Sequence, residues 1–594
     1  MRLAFDVEGN PIPTTKLHCI CIKDVDKNEK VLRFHDDESL YADGTMAEGI
    51  AMLVKADMVI AHNYIGYDGP TLEELAGFTH TNPYDTLVVA RLIFPWIGVI
   101  DKRRKNFPSE LNGKHSLKAW GERLGEKKQE APSVEDNPEW WSKLSLEMLD
   151  YCAQDVTLLT RLFHYFESQK WPQESTDLEH SFAACVKRQE DNGVCFDMDS
   201  AEDLVKGWQV RRAELNSELG KQLGSYTKEW VTKVRKEKRS KEVPYDPSSR
   251  YQVAKALIHK FGWQPTSFTD GGRPQLNEDS IALMDRAKIP FKDLLLEWFT
   301  ISHRLGQAAE GEHSWLNYAA KEGRSYRIHG RVNHNGARTG RCTHSRPNMN
   351  VPRVTSLFGY ECRALFTPRP GWKMVGADLS GIEARILGHY LHPYDGGKYI
   401  ERVLAGQIHD DNQRILKFKK RDSAKTVLYA VMYGSQAKGL SVSIASCEDR
   451  PCSEQEGAKV RKTLLDSMPG METLIEQVYL AMKENGYLVG LDGRRLKPRK
   501  KSATLNCLFQ SGGALVMKWA TVIQHTLLDM TIGPDNWAPM LHVHDEAQVE
   551  CKPEYVDQVS RITLKAMRLA GEKLKLHIPI EGEAKVGNNW AETH

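Results

Sequence analysis

Two acidic strand ends, separated by a helix of paired cations and paired aromatics, constrain this chain most. The first end lies between Trp372 and Glu383. Met374 to Ala377 reads as a buried strand delivering Asp378, and Gly381 opens a helical run through Glu383, Arg385 and Leu387. The second lies between Leu541 and Val549, where the pattern alternates around His544, Asp545 and Glu546 as a hairpin would with acids at its tip. Between them Arg421, Lys425, Tyr429 and Tyr433 recur at every fourth position. A step of four residues advances about 400° around a helix, so successive members drift by only about 40° and share a broad face.

Taken singly, each feature has an ordinary reading. An acid at a strand end is usually a cap or a surface group, and an amphipathic helix is common. Together they have a chemical logic. Extending a nucleic acid is an in-line displacement at phosphorus, and two divalent ions about 3.5–4 Å apart stabilise both the attacking and the leaving oxygen. Hard cations prefer carboxylate and carbonyl oxygens. Asp378 and Asp545 would bridge the ions, with the Leu379 carbonyl as a further ligand. Two cations followed by two aromatics would meet a triphosphate, then a sugar and a base. These are the needs of a template-directed nucleotidyl transferase.

A second acidic set lies near the N-terminus. Asp6 and Glu8 fall on one side of a strand, Asp68 follows Tyr67, and Tyr151 precedes Asp155 by one helical turn. Alone, each would be a surface acid.

At 594 residues the chain exceeds one core, and three to four domains are expected. Residues 1 to about 185 read as α/β, about 190 to 325 as mostly helical and charged, and 326 onward as mixed. The net charge of +2 does not announce a nucleic-acid binder. Local basic blocks do occur, at Lys102–Lys105, Lys233–Lys241 and Arg494–Lys501. A charge run by itself reads as a solvated face. The 11 cysteines form no CxxC pair; Cys19/Cys21 and Cys447/Cys452 lack completing ligands, so reduced thiols in a cytosol-like compartment are expected. His329, His334 and His344 have no cysteine partners, and zinc is not expected there. No apolar run is long enough for a bilayer, and the first residues already read as a core strand, leaving no room for a cleavable leader.

The segment Asp378 to Arg385 resembles motif A of the family A (DNA polymerase I-like) DNA polymerases. Arg421 to Gly434 resembles their motif B, and His544-Asp545-Glu546 their motif C. The resemblance is strongest to replicative polymerases of short-tailed, thioredoxin-using phages. Asp6, Glu8, Asp68, Tyr151 and Asp155 resemble the DEDD-type 3′–5′ exonuclease pattern in its tyrosine variant. The implied fold is α/β and α+β multidomain, an RNase H-like exonuclease followed by a right-hand polymerase. The expected domains are exonuclease 1–188, thumb 189–325, first palm part 326–400, fingers 401–503 and second palm part 504–594.

The resemblance also implies roles. Arg421, Lys425 and His409 would hold the triphosphate. Glu383 would exclude a 2′ hydroxyl, Tyr433 would stack near the insertion site, and Tyr429 would make the enzyme accept dideoxynucleotides. Arg341 and Gln510 would touch the primer-template minor groove, and His544 the primer end. Two Mg2+ ions are implied at the polymerase site, held by Asp378, Leu379 and Asp545. Two more are implied at the exonuclease site, held by Asp6, Glu8, Asp68 and Asp155, with Tyr151 orienting the attacking water. The C-terminal residues through His594 would pack near the palm.

The implied partners are primer-template DNA, dNTPs, and a replicative helicase-primase and single-strand binding protein. A monomer in the host cytoplasm is implied. The stretch Ser225 to Tyr245 is short and basic, too small for the thioredoxin-binding insertion, so no thioredoxin partner is expected. A 5′ nuclease domain is not expected either. A single-subunit RNA polymerase and a non-catalytic DNA-binding descendant are the alternatives. Glu383 and the N-terminal acids speak against the first, and the complete acid set against the second.

Overall fold

The computed structural model describes residues 1–594 except 232–237, 266–267, 270, 283 and 346–350. The N-terminal module is built on a five-stranded sheet. Its strands are β1 (Arg2–Gly9), β2 (Leu17–Asp24), β3 (Leu32–Phe34), β4 (Met58–Ala61) and β5 (Pro83–Asp85), in the order β3-β2-β1-β4-β5. β1 pairs antiparallel with β2 and parallel with β4. Both faces of the sheet are covered. Leu3, Phe5 and Val7 enter one core, and Ala4 enters another with Cys19, Cys21, Leu149 and Cys152. Asp6 and Glu8 share the face of Ala4, so the strand alternation itself aims them at the following long helix.

Helix α1 (Asp68–Ala76) begins at one predicted acid, and α2 (Leu146–Ser168) carries Tyr151 and Asp155. Ser145 caps α2 by accepting from the Met148 amide. Helix α3 (Gln173–Asn192) then leads out of the module, running unbroken through the boundary expected at residue 188.

A short strand β6 (Val194–Phe196) precedes α4 (Met198–Leu223), the strands β7 (Ser225–Val231) and β8 (Lys238–Pro244), and α5 (Arg250–Phe261). The region from 190 to 325 is therefore not purely helical. β7 and β8 form an antiparallel ribbon, and β6 joins β9 (Ala319–Glu322), β10 (Ser325–Ile328) and β11 (Phe366–Thr367) in a four-stranded sheet of order β11-β6-β10-β9. Of the basic stretch, Lys233, Arg235 and Lys236 lie outside the described residues.

The C-terminal sheet contains β12 (Lys373–Leu379), β13 (Trp537–Val543), β14 (Glu546–Cys551) and β15 (Gly582–Gly587), in the order β13-β14-β12-β15. The helices α6 (Ile382–Asp395), α7 (Ile408–Leu416), α8 (Arg421–Met432) and α9 (Thr504–Ile532) belong to the same part of the chain, and the sheet itself is packed by α3 and by the helix Val556–Lys573. Leu379, Ile382, Ile386, Val427, Leu428, Phe509 and Leu515 share one large core, which fixes α8 and α9 relative to β12. Gly376 is required where it stands. A Cβ there would lie 2.6 Å from the carbonyl oxygen of Thr593, so the chain end could not pack against β12.

A buried ionic cluster ties α3 to this body. Glu179 accepts from Arg494 Nη2 at 2.7 Å, Lys518 Nζ at 2.6 Å and His334 Nδ1 at 3.0 Å, and Arg494 also donates to Asp492 at 2.7 Å. Burial alone would raise the Glu179 carboxyl, but Lys518 and Arg494 hold it well below the usual carboxylate range. Arg494, from the last basic block of the sequence, is thus an interior group. Among the described residues, no helix is long and apolar enough to cross a membrane.

Candidate active site

Asp378 is the penultimate residue of β12, opposite Glu546 across the ladder to β14. The turn between β13 and β14 holds His544 and Asp545. His544 has a φ of 57°, an uncommon value for a residue other than glycine and a strain of about 1–3 kcal/mol. The Leu379 amide donates to the Asp545 carbonyl at 3.0 Å. That bond locks the two acidic stretches together, 166 positions apart in sequence between Leu379 and Asp545.

The acids feel one another. The Asp378 carboxyl is pushed up to about 7 by desolvation and by the charges of Asp545 and Glu546. Asp545 is also raised, by desolvation and by Glu383. Like charges gathered this closely favour a cation among them. The donors are hard oxygens, a set that fits Mg2+.

Glu546 plays a different part. It is buried and accepts from Gln548 Nε2 at 2.6 Å and Trp590 Nε1 at 2.5 Å, with His594 Nδ1 at 3.1 Å and Arg363 at 3.7 Å. Burial would raise it, but His594 and Arg363 outweigh this and hold the carboxyl low. Glu546 is a support for the acids and an anchor for the chain end. Sequence reading gave it no role, because nothing local marks Arg363 or Trp590 as its partners.

The helix of cations and aromatics comes near these acids at its end, where Tyr429 and Tyr433 feel the charges of Glu383 and Asp545. Arg421, Lys425 and Tyr429 lie in α8, and Tyr433 caps its end. The expected helix to Gly434 therefore stops at Met432. Gly434 has φ +82°, and a Cβ there would stand 1.9 Å from the Ser502 carbonyl oxygen, so the close turn needs glycine. Arg421 Nε donates to Asp410 at 2.8 Å. His409, on α7, has its ring 6.3 Å from that of Tyr429, and its pKa is lowered by burial and by Arg421 and Lys425. Tyr429 and Tyr433 are also 6.3 Å apart, ring to ring.

Glu383, in the first turn of α6, receives the Tyr433 hydroxyl at 3.3 Å and Arg341 Nη2 at 3.5 Å. Arg341 in turn lies close enough to His544 to depress its pKa, behind burial as the first cause. Gln510 lies half-buried on α9. Contacts and mutual charges thus bring Arg341, Glu383, Tyr429, Tyr433, His544, Asp378 and Asp545 together.

The N-terminal acids form a second centre. Ligand atoms of Asp6, Glu8 and Asp155 all lie within 4.8 Å of one another. Desolvation first, then their mutual charges, drives Asp6 well up and Glu8 to about 8. Asp68 is raised to about 7 by desolvation and Asp85. The buried Oδ1 of Asp155 has no hydrogen-bond partner among the described residues. An orphaned oxygen among crowded carboxylates fits a divalent cation.

Lys128 pairs with Asp155 and lies 4.6 Å from the centre of the Tyr151 ring. Asp85 accepts from the amides of Asn63 and Ile65 at 2.9 and 3.0 Å, shaping the loop that delivers Asp68. Neither Lys128 nor Asp85 was singled out in the sequence, because their partners are distant in the chain or are backbone groups. A cleft of about 760 Å³ runs from Glu8 and Tyr67 past Arg91 and Lys187 to Arg331 and Ser345.

The model for DNA polymerase family A matches residues 213–592. The chain is 31% identical to a DNA-directed DNA polymerase of Enterobacteria phage T3, over the whole of both chains. It is 32% identical to that of Escherichia phage T7, over 99% of each. A DNA polymerase I of Aquifex aeolicus is 26% identical over 76% of each chain. Among solved structures, the POL domain of Pol1 from M. smegmatis, in complex with DNA primer-template and dNTP, superposes with a TM-score of 0.75. It covers 100% of this chain and 96% of that one at 19% identity.

Together these define a template-directed DNA polymerase of phage type. The chain belongs to DNA polymerase family A, which sets aside the single-subunit RNA polymerase alternative.

Proposed function

We propose that the chain is a proofreading replicase with two metal-dependent centres. The polymerase centre would be held by Asp378, Asp545 and the Leu379 carbonyl, and the exonuclease centre by Asp6, Glu8, Asp68 and Asp155. When bound, Mg2+ pairs would supply charge neutralisation and an activated oxygen at each centre.

This chain's own residues do the rest. Arg421, Lys425 and His409 grip the triphosphate of a dNTP. Tyr429 and Tyr433 cover sugar and base, and Glu383 bars a 2′ hydroxyl. Arg341, Gln510 and His544 hold the primer-template. Minor-groove acceptors are nearly alike in every base pair, so such contacts test geometry without reading sequence. At the second centre Tyr151 orients the attacking water. A mispaired end frays more readily and reaches that site, a kinetic form of editing.

One observation carries the polymerase reading: the Leu379–Asp545 backbone bond, which joins the two acidic strand ends. The exonuclease reading is supported by the 4.8 Å cluster and by the five-stranded sheet, of order β3-β2-β1-β4-β5, whose central strand carries Asp6 and Glu8. The same reading takes the modules as exonuclease, thumb, palm and fingers. It makes the protein a monomer in the host cytoplasm, working with a helicase-primase and a single-strand binding protein. It expects no thioredoxin partner, because the stretch Ser225 to Tyr245 is short and basic.

The test is a pair of substitutions with Mg2+ present. Asp378→Ala should abolish primer extension and spare excision of a mispaired 3′ end; Asp6→Ala should do the reverse. Extension by the Asp378 variant, or excision by the Asp6 variant, would refute the corresponding half of the reading.

A further inference from the structure

The turn that carries Arg341 is built against a buried guanidinium. The strands Arg331–Asn333 and Thr343–Ser345 pair antiparallel, and the loop between them holds Asn335, Gly340 and Arg341. The Gly340 amide donates to the Ala337 carbonyl at 3.0 Å, and the Ala337 amide to the Arg341 carbonyl at 3.1 Å, so the turn closes on itself. Gly340 has φ +79°, and a Cβ there would stand 2.5 Å from Arg494 Nη1. Glycine lets the backbone lie this close to Arg494. The next residue is Arg341, the partner of Glu383.

Arg494 is fixed from three directions. It sits at the turn between two short paired strands, Leu488–Val489 and Arg495–Leu496. Its Nε donates to both Asp492 oxygens at 2.9 Å, its Nη2 to Glu179 of α3 at 2.7 Å, and its Nη1 to Asn335 Oδ1 at 3.3 Å. Asn335 Oδ1 also receives Lys518 Nζ of α9 at 3.2 Å. The Arg494 side chain is buried, so water competes little for these bonds. The far side of the frame is held as well. His180, next to Glu179 in α3, accepts from the Asp85 amide of the N-terminal module at 2.8 Å.

One guanidinium thus ties a hairpin, α3 and the loop of Arg341 together. A lysine has a point charge and three donors on a flexible stem, and cannot reproduce that planar fork. The rigidity has a use. Minor-groove acceptors stand in nearly the same place in every correct base pair. A donor that tests this placement discriminates only if its own base holds still, and the tolerance of such sites is about 0.5 Å.

We propose that Arg494 is a positioning residue for mispair detection. It holds the Gly340–Arg341 turn in register with α3, so that the Arg341 guanidinium meets a correctly paired primer end and misses a displaced one. Arg494 itself touches no DNA. The proposal rests on the polymerase reading, in which Arg341 contacts the primer-template, and adds the buried group that gives this contact its accuracy.

The test is a double-mutant cycle in the full chain, with Asp6→Ala in every protein so that a mispaired end survives. Single-turnover insertion on matched and mispaired primers gives the discrimination, and urea unfolding gives the stability. Arg341→Ala should lower discrimination by about 10-fold or more, by slowing insertion on the matched primer. Arg494→Lys should lower it by about 3–10-fold in the same way, through kcat and not through the KM for dNTP. In the Arg341→Ala background, Arg494→Lys should change discrimination by less than about 2-fold, while the stability it removes is the same in both backgrounds. Gly340→Ala, which takes away no charge and drives a methyl toward Arg494, should repeat the pattern, and it decides the question if Arg494→Lys does not fold. A loss of equal size in both backgrounds, or no loss with either variant, would overturn the proposal alone. Unchanged discrimination in Arg341→Ala would sink the primer-template reading of Arg341 and this proposal with it.

Discussion

The hydroxyl of Tyr433 donates to the carboxylate of Glu383 at 3.3 Å, joining the end of α8 to the first turn of α6. Those residues are 50 positions apart, so the bond joins segments that are distant in the chain. Glu383 also meets Arg341, so it is held from two sides. Removing its carboxyl should open space for a 2′ hydroxyl. Glu383→Ala is expected to raise ribonucleotide incorporation by about 100-fold or more, given about 2–3 kcal/mol of lost steric and polar discrimination. Tyr433→Phe, which only frees the carboxylate, should show a smaller rise in the same direction. Competing ribo- and deoxynucleotides in single-turnover insertion measure both.

The Tyr429 phenol is pushed up to about 12 by desolvation and by Glu383, so it keeps its proton. A retained hydroxyl can supply the hydrogen bond that a missing 3′ hydroxyl would otherwise make. The wild type should therefore accept dideoxynucleotides readily. Tyr429→Phe should increase discrimination by about 10–100-fold, the equivalent of one hydrogen bond of about 1–3 kcal/mol. Equal incorporation ratios for the two proteins would be the contrary result.

Glu179 is the single carboxylate shared by Arg494 and Lys518 in the interior. Glu179→Ala leaves two buried cations facing one remaining acid, and should cost about 3–5 kcal/mol of stability. The expected readout is a lower urea midpoint. The pH dependence has a definite sign. The folded carboxyl is depressed, so its contribution is present above the unfolded pKa of about 4.3 and fades as pH falls below it. The stability difference between wild type and variant should shrink from about pH 4 downward.

His594 reaches Glu546, which faces Asp378 across the ladder. Deleting His594, or adding a tag after it, should slow nucleotide addition by about 3–10-fold through loss of one charge-assisted contact. Excision should be unaffected, because the N-terminal acids are elsewhere in the chain. The ratio of extension to excision in one preparation gives the answer without a correction for active fraction.

Host thioredoxin added to the purified chain should leave product length unchanged on a long primed single strand. A marked lengthening would be the contrary result.

Much of the site could be read without coordinates, and the reason is local. Asp378, Glu383, Asp545, Asp6, Glu8 and Asp155 sit at strand ends or on helical turns whose periods of 2 and 3.6 are visible in a short window. The same periods placed Tyr151 with Asp155 and lined up Arg421, Lys425 and Tyr429. What the periods could not give is pairing across distance. The Leu379–Asp545 bond, the Tyr433–Glu383 contact, the Glu546 hub with Trp590 and His594, and Lys128 against Asp155 each join segments that no local pattern relates. The basic blocks show the difference most sharply. Arg494 and Lys241 look alike as sequence, but folding neutralises one inside the protein and leaves the other exposed on a strand, with no acidic partner among the described residues. Sequence alone determined which side chains stand as candidates for the chemistry, because side-chain type and spacing are local. Tertiary structure decided which charges are paired, buried or left facing outward, because that depends on which distant segments the core brings into contact.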